Sequence, residues 1–162
     1  YLRIITQKTA SFISACCRIG ALLGSVGPER VDALTRYGLE VGVAFQIMDD
    51  ALDFVADPSR LGKAAGTDLR EGKRTLPLIA TLDRSGAADR DRIQSILHRR
   101  RLEDDEVEEV RGLVAKYDGV GYALGRARGY ARSAKESLTV FPDGEEKETL
   151  VLIADYVIDR DR

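Results

Sequence analysis

The sequence predicts an all-α fold, and three observations predict it. Apolar residues recur with a 3.6-residue period through almost every segment, no stretch alternates with a period of two for long enough to make a strand, and the two longest apolar segments exceed strand length. At 162 residues and 44% hydrophobic content, the chain is long enough for one domain with a real core.

The first helix is predicted over about residues 2–24, where Leu2, Ile5, Phe12, Ala15, Cys16, Ile19 and Leu23 fall at helical spacing and Gly24 to Pro28 close it. No cap residue precedes it, the chain opens at Tyr1, and the only methionine is Met48, so the sequence reads as a fragment that starts inside a helix. A second helix, about 29–55, carries Val41, Val43, Ala44, Phe45, Ile47, Met48, Ala51, Leu52 and Phe54 on nearly every azimuth. A helix that is apolar all round is a buried one. Residues 57–73 contain Pro58, Gly62, Gly66 and Gly72 and read as a long loop, of a length that is usually functional or disordered. Thr75 and Pro77 then suit the cap and first turn of a helix through about Leu82. Further helices are expected at about 87–100, 103–116, 118–139 and 143–160. In the third of these, Gly121, Gly125 and Gly129 lack the preceding strand of a dinucleotide loop and are expected to let two helices pack closely.

Composition excludes several function classes. Net charge is −2, from 25 basic and 27 acidic residues, so no global field draws the chain to nucleic acid or an anionic membrane. No apolar run reaches the roughly 18 residues of a membrane span and no leader opens the chain, so it reads as soluble and cytoplasmic. Cys16 and Cys17 are expected to be buried, reduced thiols. His98 is the sole histidine, placed at a helix C-terminus where it suits the dipole, and its solitude removes histidine-based triads and zinc sites.

Chemistry concentrates on the second helix. Asp49, Asp50 and Asp53 are spaced i, i+1 and i+4, with Asp49 and Asp53 about 5–6 Å apart on one face. Each pair of such charges repels by about 3 kcal/mol at an effective dielectric of about 20. A divalent cation relieves that repulsion, and oxygen ligands with open water positions suit Mg²⁺ held jointly with a phosphate-bearing substrate. By contrast Glu103-Asp104-Asp105-Glu106 has no apolar jacket and reads as a solvated helix N-terminus. Lys63 and Lys73 are flanked by glycines in the predicted loop, so a flexible backbone would let each ammonium reach phosphate oxygens. Gly42, Gln46, Asp49, Asp50 and Asp53 form one polar stripe, and Lys8, within Gln7-Lys8-Thr9, would face the same cavity if the first two helices pack antiparallel.

Together Lys8-Thr9, Phe45-Gln46, Asp49-Asp50-x-x-Asp53 and Gly62-Lys63-x-x-Gly66-x-Asp68-Leu69-x-x-Gly72-Lys73-x-Thr75-Leu76-Pro77 closely resemble the trans-isoprenyl diphosphate synthases, the polyprenyl synthetase family. The match is dense over 1–80, while 81–162 resembles the family's C-terminal helices, so residues 1–162 correspond to the C-terminal half of such a domain. The resemblance implies an isoprenoid-synthase-type helical bundle that condenses isopentenyl diphosphate with an allylic diphosphate, homodimeric and Mg²⁺-dependent at full length. It implies Asp49 as principal metal ligand, with Asp50 and Asp53 acting directly or through water. Lys8 and Lys63 would bind the allylic diphosphate, Lys73 would support loop closure over it, and Thr9 and Gln46 would present oxygens to the developing carbocation. The first aspartate-rich motif of the family is not in this sequence, so these residues alone are expected to be inactive without the N-terminal half. A noncatalytic helical partner of an active synthase and a class I terpene cyclase are the alternative readings.

Overall fold

The computed structural model describes residues 1–55, 66–99 and 101–159. Among them there are helices and no strands: α1 (Leu2–Ile5), a π-helical turn (Thr6–Ala10), α2 (Ser11–Leu23), α3 (Pro28–Val55), α4 (Thr67–Arg70), α5 (Leu76–Arg84), α6 (Ala87–Leu97), α7 (Asp104–Lys116), α8 (Gly119–Ser137) with a 3₁₀ turn (Leu138–Val140), and α9 (Glu145–Ile158). Each predicted helix is present, with ends within a few residues of expectation. The unpredicted element is α4, which lies at the end of the expected loop. Thr75 occupies the N-cap of α5 with extended backbone, but its hydroxyl makes no cap bond. Pro77 early in that helix lacks an N–H that such a cap would take.

The chain divides into two compact units. In the unit made of residues 1–48 and the chain from Gly125 onward, α2 packs antiparallel on α3. Glycines set the approach. A Cβ at Gly42 would stand 2.6 Å from Ala10 Cα, and one at Gly38 would stand 2.8 Å from Cys17 Sγ. Ser14 Oγ donates to the Thr35 carbonyl at 2.7 Å in the same seam. Tyr37, Val41, Ala44, Ala131, Ala134, Leu138, Ala154 and Val157 form the core, where the Tyr37 hydroxyl donates to the Leu150 carbonyl at 2.7 Å.

Two expectations fail in this unit. Gly125 and Gly129 have no atom within 4 Å of where a Cβ would stand and border an open cleft with Glu40 and Ser133. The close face of α8 is built instead from the fully buried Ala127, Ala131 and Ala134. Cys16 is exposed and Cys17 half-buried, both as free thiols. α2 buries Ser14 and Ala21, and Cys16 lies on the opposite face of the helix, beside the exposed Phe12, Ile19 and Leu23.

In the second unit, Asp49–Leu124, the core comprises Phe54, Leu69, Leu78, Ile93, Ile96, Leu102, Val107, Val110 and Val114. α7 supplies three of these at i, i+3 and i+7, the stripe a helix buries on one face. Its N-terminus is a capping box: Glu103 caps the third helical residue, and the Glu106 carboxylate accepts from the Glu103 N–H at 3.0 Å. Glu106 is consequently buried, at 5% exposure, and pairs with Arg99, so the fully solvated reading of 103–106 holds for Glu103, Asp104 and Asp105 but not for Glu106.

Candidate functional site

The π-helical turn Thr6–Ala10 carries Lys8 and Thr9. Such wide turns inside α-helices recur at functional sites because they re-aim the side chains they contain. Here Thr9 Oγ1 donates to Gln46 Oε1 at 3.2 Å, joining the two residues expected to share a role. The close approach of Ala10 to Gly42, one turn before Gln46, places them in register. Gln46 is buried and Lys8 is exposed. The antiparallel pairing that the expectation for Lys8 requires is present.

On the last turns of α3 the three aspartates differ. Asp49 is exposed, Asp50 is buried at 6% exposure, and Asp53 is half-buried. Asp53 Oδ1 accepts from the Thr67 N–H at 3.2 Å and Oδ2 from the Asp68 N–H at 3.1 Å. Burial pushes its carboxyl above the usual aspartate value, and the Asp68 amide opposes that shift. Lys73 pairs with Asp68 Oδ1 at 2.8 Å and with Glu71 Oε2 at 2.6 Å; these hydrogen bonds, to Asp68 first, raise its pKa. Lys63 lies outside the described residues, as do Pro58 and Gly62.

No group of three His, Cys, Asp or Glu is arranged to hold a metal ion among the described residues. The donor set suits an open site. Mg²⁺ commonly takes one or two carboxylates and completes its shell with water and substrate phosphates, and the exposed Asp49 offers such a carboxylate.

Sequence reading missed the glycine seam and the partners of Asp53. Gly38 and Gly42, at i and i+4 on one face of α3, were a usable signal for close helix approach. Nothing in the sequence pairs Asp53 with amides fourteen and fifteen residues away.

The family model described as Polyprenyl synthetase matches residues 1–114. This chain belongs to the polyprenyl synthetase family. It is 40% identical, over 99% of its length, to the short chain isoprenyl diphosphate synthase of Methanothermobacter thermautotrophicus, of which it covers 49%. It is 36% identical to the nonaprenyl diphosphate synthase of Mycobacterium tuberculosis, covering 99% of this chain and 48% of that protein. All of it superposes, at TM-score 0.92 and 37% identity, on 49% of a polyprenyl synthase from Caulobacter crescentus complexed with calcium and isoprenyl diphosphate. The chain spans about half the length of the curated relatives it matches. No described helix is long and apolar enough to cross a membrane.

Proposed function

We propose that the chain forms the C-terminal half of a trans-prenyltransferase that condenses isopentenyl diphosphate with an allylic diphosphate, working as a homodimer with Mg²⁺. One observation carries the reading. The Thr9–Gln46 pair and the aspartate stripe lie in a chain that is 37% identical to a synthase whose structure holds calcium and isoprenyl diphosphate. Asp49 is assigned as principal ligand, with Asp50 and Asp53 behind it, directly or through water. When bound, Mg²⁺ would neutralise the diphosphate leaving the allylic substrate. Lys8 and Lys63 would hold phosphate oxygens, and Lys73, tied into its own turn by Asp68 and Glu71, would support the loop. Because Thr9 donates its proton to Gln46, the lone pairs of the Thr9 hydroxyl are not used in that bond. The Thr9 and Gln46 oxygens are the groups assigned to face the developing positive charge.

Incubating the natural polypeptide that contains these residues with labelled isopentenyl diphosphate, an allylic primer and Mg²⁺ tests the proposal. Metal-dependent chain elongation is expected, and product length would define the enzyme more finely. Cyclised product, or no incorporation without a second synthase chain, would overturn it.

A further inference from the structure

The three aspartates at the end of α3 are not equivalent, and Asp53 stands apart. Its carboxylate takes the Thr67 and Asp68 N–H groups, and its backbone carbonyl takes the Gly66 N–H at 2.9 Å. Three consecutive amides therefore end on one residue. The turn they form needs Gly66 at φ +77°, where a Cβ would also stand 2.6 Å from Val107 Cγ1. Leu69, buried at 1% exposure, anchors the far side of that turn, and Arg111 Nε fixes the Phe54 carbonyl at 3.0 Å. With four residues and no cap side chain of its own, α4 is too short to persist on local bonds. Lys73 is coupled to the same point: its ammonium holds the Asp68 carboxylate, and its N–H donates to the Asp68 carbonyl at 2.9 Å.

We infer that Asp53 is a positioning residue, whose carboxylate fixes the Thr67–Asp68 backbone and, through it, the Asp68–Lys73 pair. Both of its oxygens accept charge-assisted bonds from rigid backbone donors, which hold the group in one orientation. Asp49, a turn earlier and exposed, carries no such constraint among the described residues. The inference rests on the metal–diphosphate reading only for what the positioned groups serve.

Backbone amide exchange in metal-free buffer, followed by calorimetric titration with Mg²⁺ and inorganic diphosphate, tests it in the natural polypeptide. Asp53→Ala is expected to speed exchange at Thr67 and Asp68 by about tenfold or more. The amides of Ile93 and Val110 should be unchanged, and so should the number of Mg²⁺ ions bound. Asp53→Asn, which keeps one cap acceptor but no carboxylate, is expected to restore part of the protection and of the diphosphate affinity. Asp49→Asn is expected to leave exchange alone and remove an ion. Wild-type exchange at Thr67 and Asp68 in Asp53→Ala, or loss of an ion from that variant with no rescue by asparagine, would overturn the inference. Should the unaltered protein bind no Mg²⁺–diphosphate while Asp53→Ala still speeds exchange, the functional reading fails and the positioning role stands.

Discussion

The chain holds two acidic clusters in one compact unit, and they are used in opposite ways. At 103–106 the fold itself satisfies the charges: Glu103 and Glu106 close a capping box, Glu106 pairs with Arg99, and Asp104 meets Arg70 at 2.7 Å. At 49–53 the acids are divided. Asp53 is tied to backbone amides, while Asp49 faces solvent between the buried Met48 and Asp50. A carboxylate satisfied by its own chain serves stability; one left open beside apolar surface is available to a ligand. Acidity alone distinguishes neither case.

The largest expected effect breaks that comparison if it fails. Asp49→Asn should weaken Mg²⁺-dependent binding of inorganic diphosphate by more than the roughly 10–100-fold typical of losing a partner behind a metal ligand, with thermal stability unchanged or slightly raised. Unaltered affinity in calorimetry would remove Asp49 from the site. Glu106→Ala should do the reverse, costing about 1–2 kcal/mol in denaturant unfolding through loss of the cap bond and of the Arg99 partner, with diphosphate affinity intact.

The same rule extends to Tyr37, which is buried and satisfied by the Leu150 carbonyl. Burial pushes its pKa from 10.0 up to about 12, so between those values the folded state holds a proton the unfolded state releases. The phenol therefore contributes stability that is present below about pH 10 and declines as pH rises toward about 12. Tyr37→Phe should flatten that decline and cost about 1 kcal/mol at neutral pH, read from urea midpoints across pH. The smallest effect belongs to Asp104, whose side chain is 93% exposed in its pair with Arg70. Asp104→Asn should leave the melting temperature unchanged, because solvent and salt screen such a pair.

Helix placement was legible because a 3.6-residue period sustained over many residues is a strong local signal. The aspartate stripe stood out because charge inside an apolar stretch is costly enough to need an explanation. α4 was not, since four residues carry no periodicity and this helix is held by Asp53 from outside its own segment. Exposure of Cys16 was not legible either, because periodicity says which residues share a face and not which face finds a partner. Likewise Gly125 and Gly129 signalled close packing that α8 achieves instead with alanines and, at its first residue, with Gly119, while Gly38 and Gly42 made the contact that aligns Thr9 with Gln46.

By itself the sequence determined the all-α class, the order of the helices and the residue types a metal–diphosphate site requires, all properties of local spacing. Tertiary structure alone decided which acids are already satisfied. A carboxylate's role depends on which donors long-range packing brings within about 3 Å, and no spacing rule along the chain records that.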